Sequence, residues 1–386
     1  MAGSVFSSIE MIRKLVAFDT TSRESNLGLI EFVRAYLAEH GVDSELFHDD
    51  ERRKANLFAT IGPKDRGGIV LSGHTDVVPV DGQEWLSDPF TLTEWGGKLY
   101  GRGAADMKSF IAIALTQVPE FLARDLKTPI HLALSYDEEI GCVGVRRMIA
   151  ALAKRTIRPI SCIVGEPTLM KPIGAHKGKI SVRCRVHGHE SHSALADRGV
   201  NAVEAAAELI AHLKGMARHR RDHGPFDFSF APPYTTIHTG VVQGGTALNI
   251  VPKDCVFDFE FRYLPNDAPV PLLDEIKRFA ETLLPEMRAV SSQAGFAFDT
   301  LISAPGLTED PDSEAARLVR ALTGANELGK VSYGTEAGLF QEIDIPTIVC
   351  GPGSIEDAHR PDEFIATDQV HQCEAFLRRL ADRVAA

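Results

Sequence analysis

Apolar positions in the first half of the chain alternate between helical and strand spacing. Ile9, Ile12, Leu15 and Val16 recur every three to four residues behind Ser7 and Ser8, both good N-cap types, which predicts an opening helix. Leu27, Ile30, Val33 and Leu37 repeat that spacing before Gly41, a helix stop. Short apolar runs at 56–61, 69–71, 129–134 and 161–164 read as strands, and 107–121 and 142–153 as helices. Buried strands alternating with helices predict an α/β sheet covered on both faces.

The texture changes near Lys179. Residues 180–186, 235–242 and 256–263 alternate with period two, as half-buried antiparallel strands do, and 202–213 and 272–284 are amphipathic helices. Two helices on an alternating sheet predict a separate α+β domain inserted in the chain. The α/β texture returns after about Ser303, with a helix at 313–323 and a strand at 347–350.

Four of the apolar strands run directly into polar residues. Ile69–Gly73 leads to His74 and Asp76, and His131–Tyr136 leads to Asp137, Glu138 and Glu139. Ser161–Gly165 leads to Glu166, and Thr347–Gly353 leads to Ser354 and then His359. Ligands of open α/β sheets bind beyond the carboxyl ends of strands, so these clusters are expected to converge at one rim, joined by Asp106 at a helix start. Histidines and several carboxylates in one place repel or stay protonated unless a cation neutralises them. Nitrogen and oxygen donors without thiolate suit zinc, cobalt or manganese, and the donor count suits two ions. Each cluster alone is an ordinary cap or turn; their coincidence at strand ends carries the metal reading.

Composition narrows the class further. The 386 residues carry 41 Lys and Arg against 53 Asp and Glu, a formal charge of −12, with no basic run, which argues against nucleic acid or an anionic membrane as partner. The 44% hydrophobic content comes without an eighteen-residue apolar stretch, so no membrane span is expected. Residues 1–18 lack a basic start and include Glu10, unlike a signal peptide. Six cysteines stand singly, which suits a reducing cytoplasm. No Gly-x-Ser-x-Gly elbow or Gly-Lys-Ser/Thr phosphate loop is present, disfavouring a serine hydrolase or nucleotide enzyme.

Five segments, in order, carry a family resemblance: Ser72–Pro79 (SGHTDVVP), Gly101–Lys108 (GRGAADMK), Asp137–Gly141 (DEEIG), Gly165–Thr168 (GEPT) and His359–Asp362 (HRPD). Together they resemble the dinuclear zinc aminoacylase and carboxypeptidase family over nearly the whole chain. Tyr333–Ala337 (YGTEA) and Gly351–Ile355 (GPGSI) are most similar to its acetylornithine deacetylases. The resemblance implies a zinc-peptidase-like catalytic domain at 1–178 and 291–386, with a mixed central sheet flanked by helices. It also implies an inserted ferredoxin-like dimerisation domain at 179–290.

It further implies that Asp106 bridges two zinc ions, cobalt being a possible substitute. His74 and Glu166 complete one site, and Glu139 and His359 the other. Asp76 fixes the His74 tautomer, Glu138 is the general base, and the Asp106–Met107 bond is cis. His192 is expected to reach the partner subunit's site in a homodimer and to donate to the oxyanion, whereas His187 and His189 are expected to be solvated. Arg262 is expected to take the substrate carboxylate, and Asn249 to lie on the substrate-side loop. Glu336 is either the partner of a substrate ammonium or a helix-start residue. The activity implied is hydrolysis of N2-acetyl-L-ornithine in arginine synthesis. Succinyl-diaminopimelate, acetylcitrulline and a broader range of N-acyl amino acids remain alternatives.

Overall fold

The computed structural model describes residues 4–386; the first three residues of the opening segment lie outside them. The chain divides into two compact units, one of 1–175, 307–329 and 335–386, the other of 176–306 with 330–334.

The first unit is built on an eight-stranded mixed sheet. Its strand order is Ser44–His48, Ala55–Ile61, Ile130–Ser135, Ile69–His74, Ser161–Pro167, Thr347–Gly351, Ile173–His176 and Gly329–Val331. The four central strands that carry the polar clusters run parallel to one another: Ile69–His74 pairs with Ile130–Ser135 on one side and Ser161–Pro167 on the other, and Thr347–Gly351 pairs with Ser161–Pro167. Every residue of these four strands is buried, as expected for parallel strands covered by helices on both faces. Their carboxyl ends therefore share one rim.

Local sequence explains how the covering helices begin and end. Ser8–Val16 opens on a capping box in which Ser7 and Glu10 satisfy each other's amides. Glu314–Thr323 starts at Ser313 and stops at Gly324 in the left-handed region. The helix expected over 107–121 is two, Lys108–Thr116 and Val118–Ala123, because Pro119 has no N–H to continue the first ladder. The 142–153 helix begins only at Val145, after Cys142 at φ +55°. The closing helix Thr367–Ala385 buries Val370, Phe376, Leu377 and Leu380 in the same core as Met11, Leu15 and Phe110.

The second unit is a four-stranded antiparallel sheet in the order Thr236–Gly244, Asp254–Tyr263, Gly178–His187, Gly295–Ala304. Helices Ala202–His223 and Pro269–Val290 complete a β-α-β-β-α-β chain order, the ferredoxin-like arrangement. Burial alternates along the two inner strands, and Val182, Phe257, Phe259 and Phe261 pack with Leu209, Leu213 and Ile276 of the helices. Its last strand, Gly295–Ala304, lies beyond residue 290, where the sequence ended the insertion. That strand pairs along one edge only and shows no clean alternation of its own, so nothing local marks it. Among the described residues no helix is long and apolar enough to cross a membrane, and all six cysteines are free and buried.

Candidate metal centre

Each polar cluster is delivered to the rim by its strand. His74 closes Ile69–His74 and is 1% exposed. Its Nδ1 donates to the Asp76 carbonyl oxygen at 2.9 Å, which leaves the Nε2 lone pair free to face the neighbouring carboxylates. That Nε2 stands 2.9 Å from Asp106 Oδ1 and 3.7 Å from Glu166 Oε1. The other Asp106 oxygen, Oδ2, lies 3.2 Å from His359 Nε2, and Glu139 lies 3.1 Å from the same nitrogen. Asp106 thus stands between two histidines brought from residues 74 and 359. The Asp106–Met107 peptide is cis, as the resemblance implied.

Close backbone approach brings the strands behind these residues together. A Cβ on Gly351 would sit 1.9 Å from the Gly165 carbonyl oxygen, so Gly351 lets the strand before the His359 loop pass the one that carries Glu166. Asp137 and His359 both adopt positive φ, +56° and +62°, in the turns that present Glu138, Glu139 and the His359 ring. Asp and His are among the side chains that tolerate this region.

The Asp76 carboxylate does more than the sequence indicated. It accepts from the Glu138 and Glu139 amides at 3.1 and 3.3 Å and from Ser22 Oγ at 2.7 Å, while lying 3.6 Å from the His74 ring. Its backbone carbonyl holds the tautomer; its side chain holds the turn that carries the two glutamates. Ser22 was missed, having no sequence signal beyond its place in a polar loop.

The pocket is electrostatically costly as a bare protein. Burial pushes Glu138 up to about 8 and Glu139 up to about 7, with neighbouring carboxylates adding repulsion, and burial likewise drives Glu166 well above the usual range. For Asp106, burial is outweighed by the hydrogen bonds from His359 and His74, so its carboxyl is lowered. For His74, burial is outweighed by Asp106 and Asp76, so the ring is raised well above its ordinary value; Asp106 and Glu139 raise His359 to about 10. Two donor groups, His74–Asp106–Glu139 and His74–Glu138–Glu166, each have their ligand atoms within 4.8 Å of one another. This nitrogen and oxygen set, without thiolate, fits divalent metal ions.

Glu336 does not serve as a free acidic contact. It is 0% exposed, its Oε1 accepts from Ser72 Oγ at 2.5 Å and its Oε2 from Ser135 Oγ at 2.7 Å. Of its two expected roles, the structure gives it the helix start, at the N-cap position of Ala337–Glu342. From there it ties together the two strands that end in His74 and in Asp137–Glu139. A substrate ammonium at Glu336 would have to reach a carboxylate that is buried and already accepts from two serines.

His192, Asn249 and Arg262 belong to the second unit. His192 is exposed, and its Nδ1 accepts from the Ala194 amide at 3.0 Å, leaving Nε2–H as a donor. It pairs with Ile250 in a two-residue ladder, and the Asn249 carbonyl accepts from Ser193, so His192 and Asn249 are neighbours. Arg262 is half-buried, with its Nε donating to Glu260 at 3.1 Å. His187 is exposed and contacts Asp254, and His189 is exposed too.

The chain is 36% identical over 384 residues to an acetylornithine deacetylase of Photorhabdus laumondii, covering 97% of this chain and 96% of the relative. It is 38% identical over 365 residues to one of Proteus mirabilis, covering 92% and 91%. Among solved structures, an M20 family metallo-carboxypeptidase from Sulfolobus solfataricus superposes with a TM-score of 0.77 at 17% identity, covering 99% of this chain and all of that one. Aminopeptidase PepT from Bacillus cereus gives 0.74 at 20% identity, covering 98% of each. These likenesses establish the shared fold. The sequence pattern of peptidase family M20/M25/M40 matches residues 70–383, and with two full-length relatives above 30% identity the chain belongs to that family of hydrolases.

Proposed function

We propose that this chain is a dinuclear metal-dependent amidohydrolase that removes the acetyl group from N2-acetyl-L-ornithine. The observation that carries the reading is the convergence of His74, Asp106, Glu139, Glu166 and His359 beside Glu138 at one rim of the sheet. His74 and Glu166 would hold one ion and Glu139 and His359 the other, with Asp106 available to both. Zinc is the proposed metal and cobalt a substitute. When bound, such ions acidify a water and polarise the acyl carbonyl.

The chain's own groups handle the proton. Glu138 accepts it from the attacking water and delivers it to the amine nitrogen as the C–N bond breaks. Asp76, holding the Glu138 amide, fixes where that carboxylate sits. His192, with Nε2–H free, donates to the developing oxyanion, and serves the partner protomer's centre in a homodimer. The dimer proposal is supported by the edge strand Thr236–Gly244, which exposes Val241 and Val242. Arg262 and Asn249 are assigned to the substrate carboxylate and acyl amino acid backbone. Six free thiols support a reducing, cytoplasmic setting, which suits arginine synthesis.

The acetylornithine assignment is supported by the two relatives above. The sealed position of Glu336 favours a second reading, a broader N-acyl-L-amino acid hydrolase. Amine release by zinc- or cobalt-loaded protein on acetylornithine, acetylcitrulline, acetylmethionine and succinyl-diaminopimelate separates them. A clear kcat/KM preference for acetylornithine supports the first; equal rates on neutral acetyl amino acids replace it with the second.

A further inference from the structure

Glu363 lies four residues beyond His359 and is 0% exposed, as is Arg102, its partner through Oε2. The other oxygen, Oε1, accepts from the backbone amides of Ala105 and Asp106, at 2.9 and 3.1 Å. Arg102 Nη2 donates to Gln83 Oε1 at 2.6 Å, and Gln83 Nε2 donates to the His359 carbonyl oxygen at 3.2 Å. Trp85 closes the outside, its indole N–H donating to Gln83 Oε1 at 3.1 Å and its ring lying 5.0 Å from the guanidinium carbon. The chain of contacts therefore runs from the Asp106 amide through Glu363, Arg102 and Gln83 to the His359 backbone.

Stability alone gives this arrangement little reason to exist. A buried ion pair recovers its desolvation cost poorly, and apolar side chains of equal volume often do as well. What apolar residues cannot do is fix two backbone segments at a set spacing. His359 needs such fixing, since it sits at φ +62° on an exposed turn. From this geometry, and resting on the metal reading above, we infer that Arg102, Glu363 and Gln83 are positioning residues. They hold Asp106 and His359, from distant parts of the chain, at the spacing that one metal ion requires.

Zinc titration of the metal-free full-length protein by calorimetry tests this, with Gln83→Leu as the main variant and Glu363→Gln as the second. Gln83 is only half-buried, so its replacement leaves the fold standing. Glu363→Gln keeps an acceptor for the two amides while removing the charge facing Arg102. Both variants are expected to weaken one zinc about 10- to 100-fold, the size usual for groups that orient metal ligands. For Gln83→Leu the other zinc and the metal-free melting temperature stay near the parent's, whereas Glu363→Gln, which leaves the buried Arg102 charge without its partner, is expected to lower the metal-free melting temperature as well. Cobalt-loaded Gln83→Leu is expected to change the visible band of one ion only. Two zinc affinities within about threefold of the parent's overturn the inference. So does equal weakening of both with a lowered metal-free melting temperature, the mark of a merely structural role. A parental protein that binds no zinc overturns the metal reading and this inference with it, whereas intact parental binding with unaffected variants overturns the inference alone.

Discussion

Raising the pH from 6 to 7 should tighten metal binding steeply, because the ligands hold protons that a cation must displace. In the metal-free chain His359 is raised to about 10 by Asp106 and Glu139, and His74 is raised well above its ordinary value. Half of the His359 side chain is exposed, so solvent screens part of that attraction without changing its sign. Both shifts favour the protonated ring, and a ring must lose that proton to ligate. Each displaced proton raises affinity about tenfold per pH unit, so the product of two zinc affinities should rise about a hundredfold per unit. Glu138, pushed to about 8, and Glu139, pushed to about 7, add to that slope where their protons also leave. Calorimetric zinc titration in buffers of different ionisation enthalpy counts the released protons directly. Binding that releases none, at an affinity independent of pH, would refute His74 and His359 as ligands. The metal-free protein should behave oppositely. Glu138 and Glu139 titrate near 4.5 when unfolded and near 8 and 7 when folded, so the folded chain binds more protons between those values. His359, raised from 6.5 to about 10, contributes in full below 6.5 and loses its contribution as pH rises through 10. Glu138 and Glu139 lower metal-free stability as the pH rises above about 4.5 and His359 as it rises above about 6.5, a trend that metal loading should largely remove.

Glu138→Gln should lower kcat by about 10²- to 10⁴-fold while two metals stay bound; lost metal would make Glu138 a ligand, as its place beside His74 and Glu166 permits. Glu336→Gln should reduce kcat/KM for acetylornithine and acetylmethionine together, and a loss confined to acetylornithine would return Glu336 to the substrate. Glu336→Ala should destabilise the protein by about 1–3 kcal/mol for each buried serine hydroxyl left without its acceptor, measured by denaturant unfolding. His192→Ala should cut kcat by about 10²- to 10³-fold with metal content and oligomeric state unchanged; a parental rate removes it from the mechanism.

The sequence by itself determined which strands are buried and what chemistry waits at their ends. Unbroken apolar runs such as 69–71 and 161–164 can be satisfied only inside a covered sheet, and the residues that follow them must emerge at its rim. That is why His74, Glu138, Glu139, Glu166 and His359 were legible as one constellation before any coordinates. Period-two alternation at 180–186 and 256–263 marked the second sheet for the same local reason. Edge strands were less visible: Ser44–His48 and Gly295–Ala304 pair along one side, so their burial is incomplete and their patterns are blurred. Only the tertiary structure decided where individual polar side chains point. Glu336 carries the charge of a substrate contact in the sequence, yet Ser72 and Ser135, far from it along the chain, turn it into a strap between strands. The Asp76 carboxylate holds the Glu138 and Glu139 amides as well as facing the His74 ring, and Glu363 meets Arg102 across more than 250 residues. A one-dimensional pattern records what is buried, because burial follows from each residue's own hydrophobicity and spacing. Which buried polar groups face each other depends on how distant segments pack, and that pairing exists only once the chain has folded.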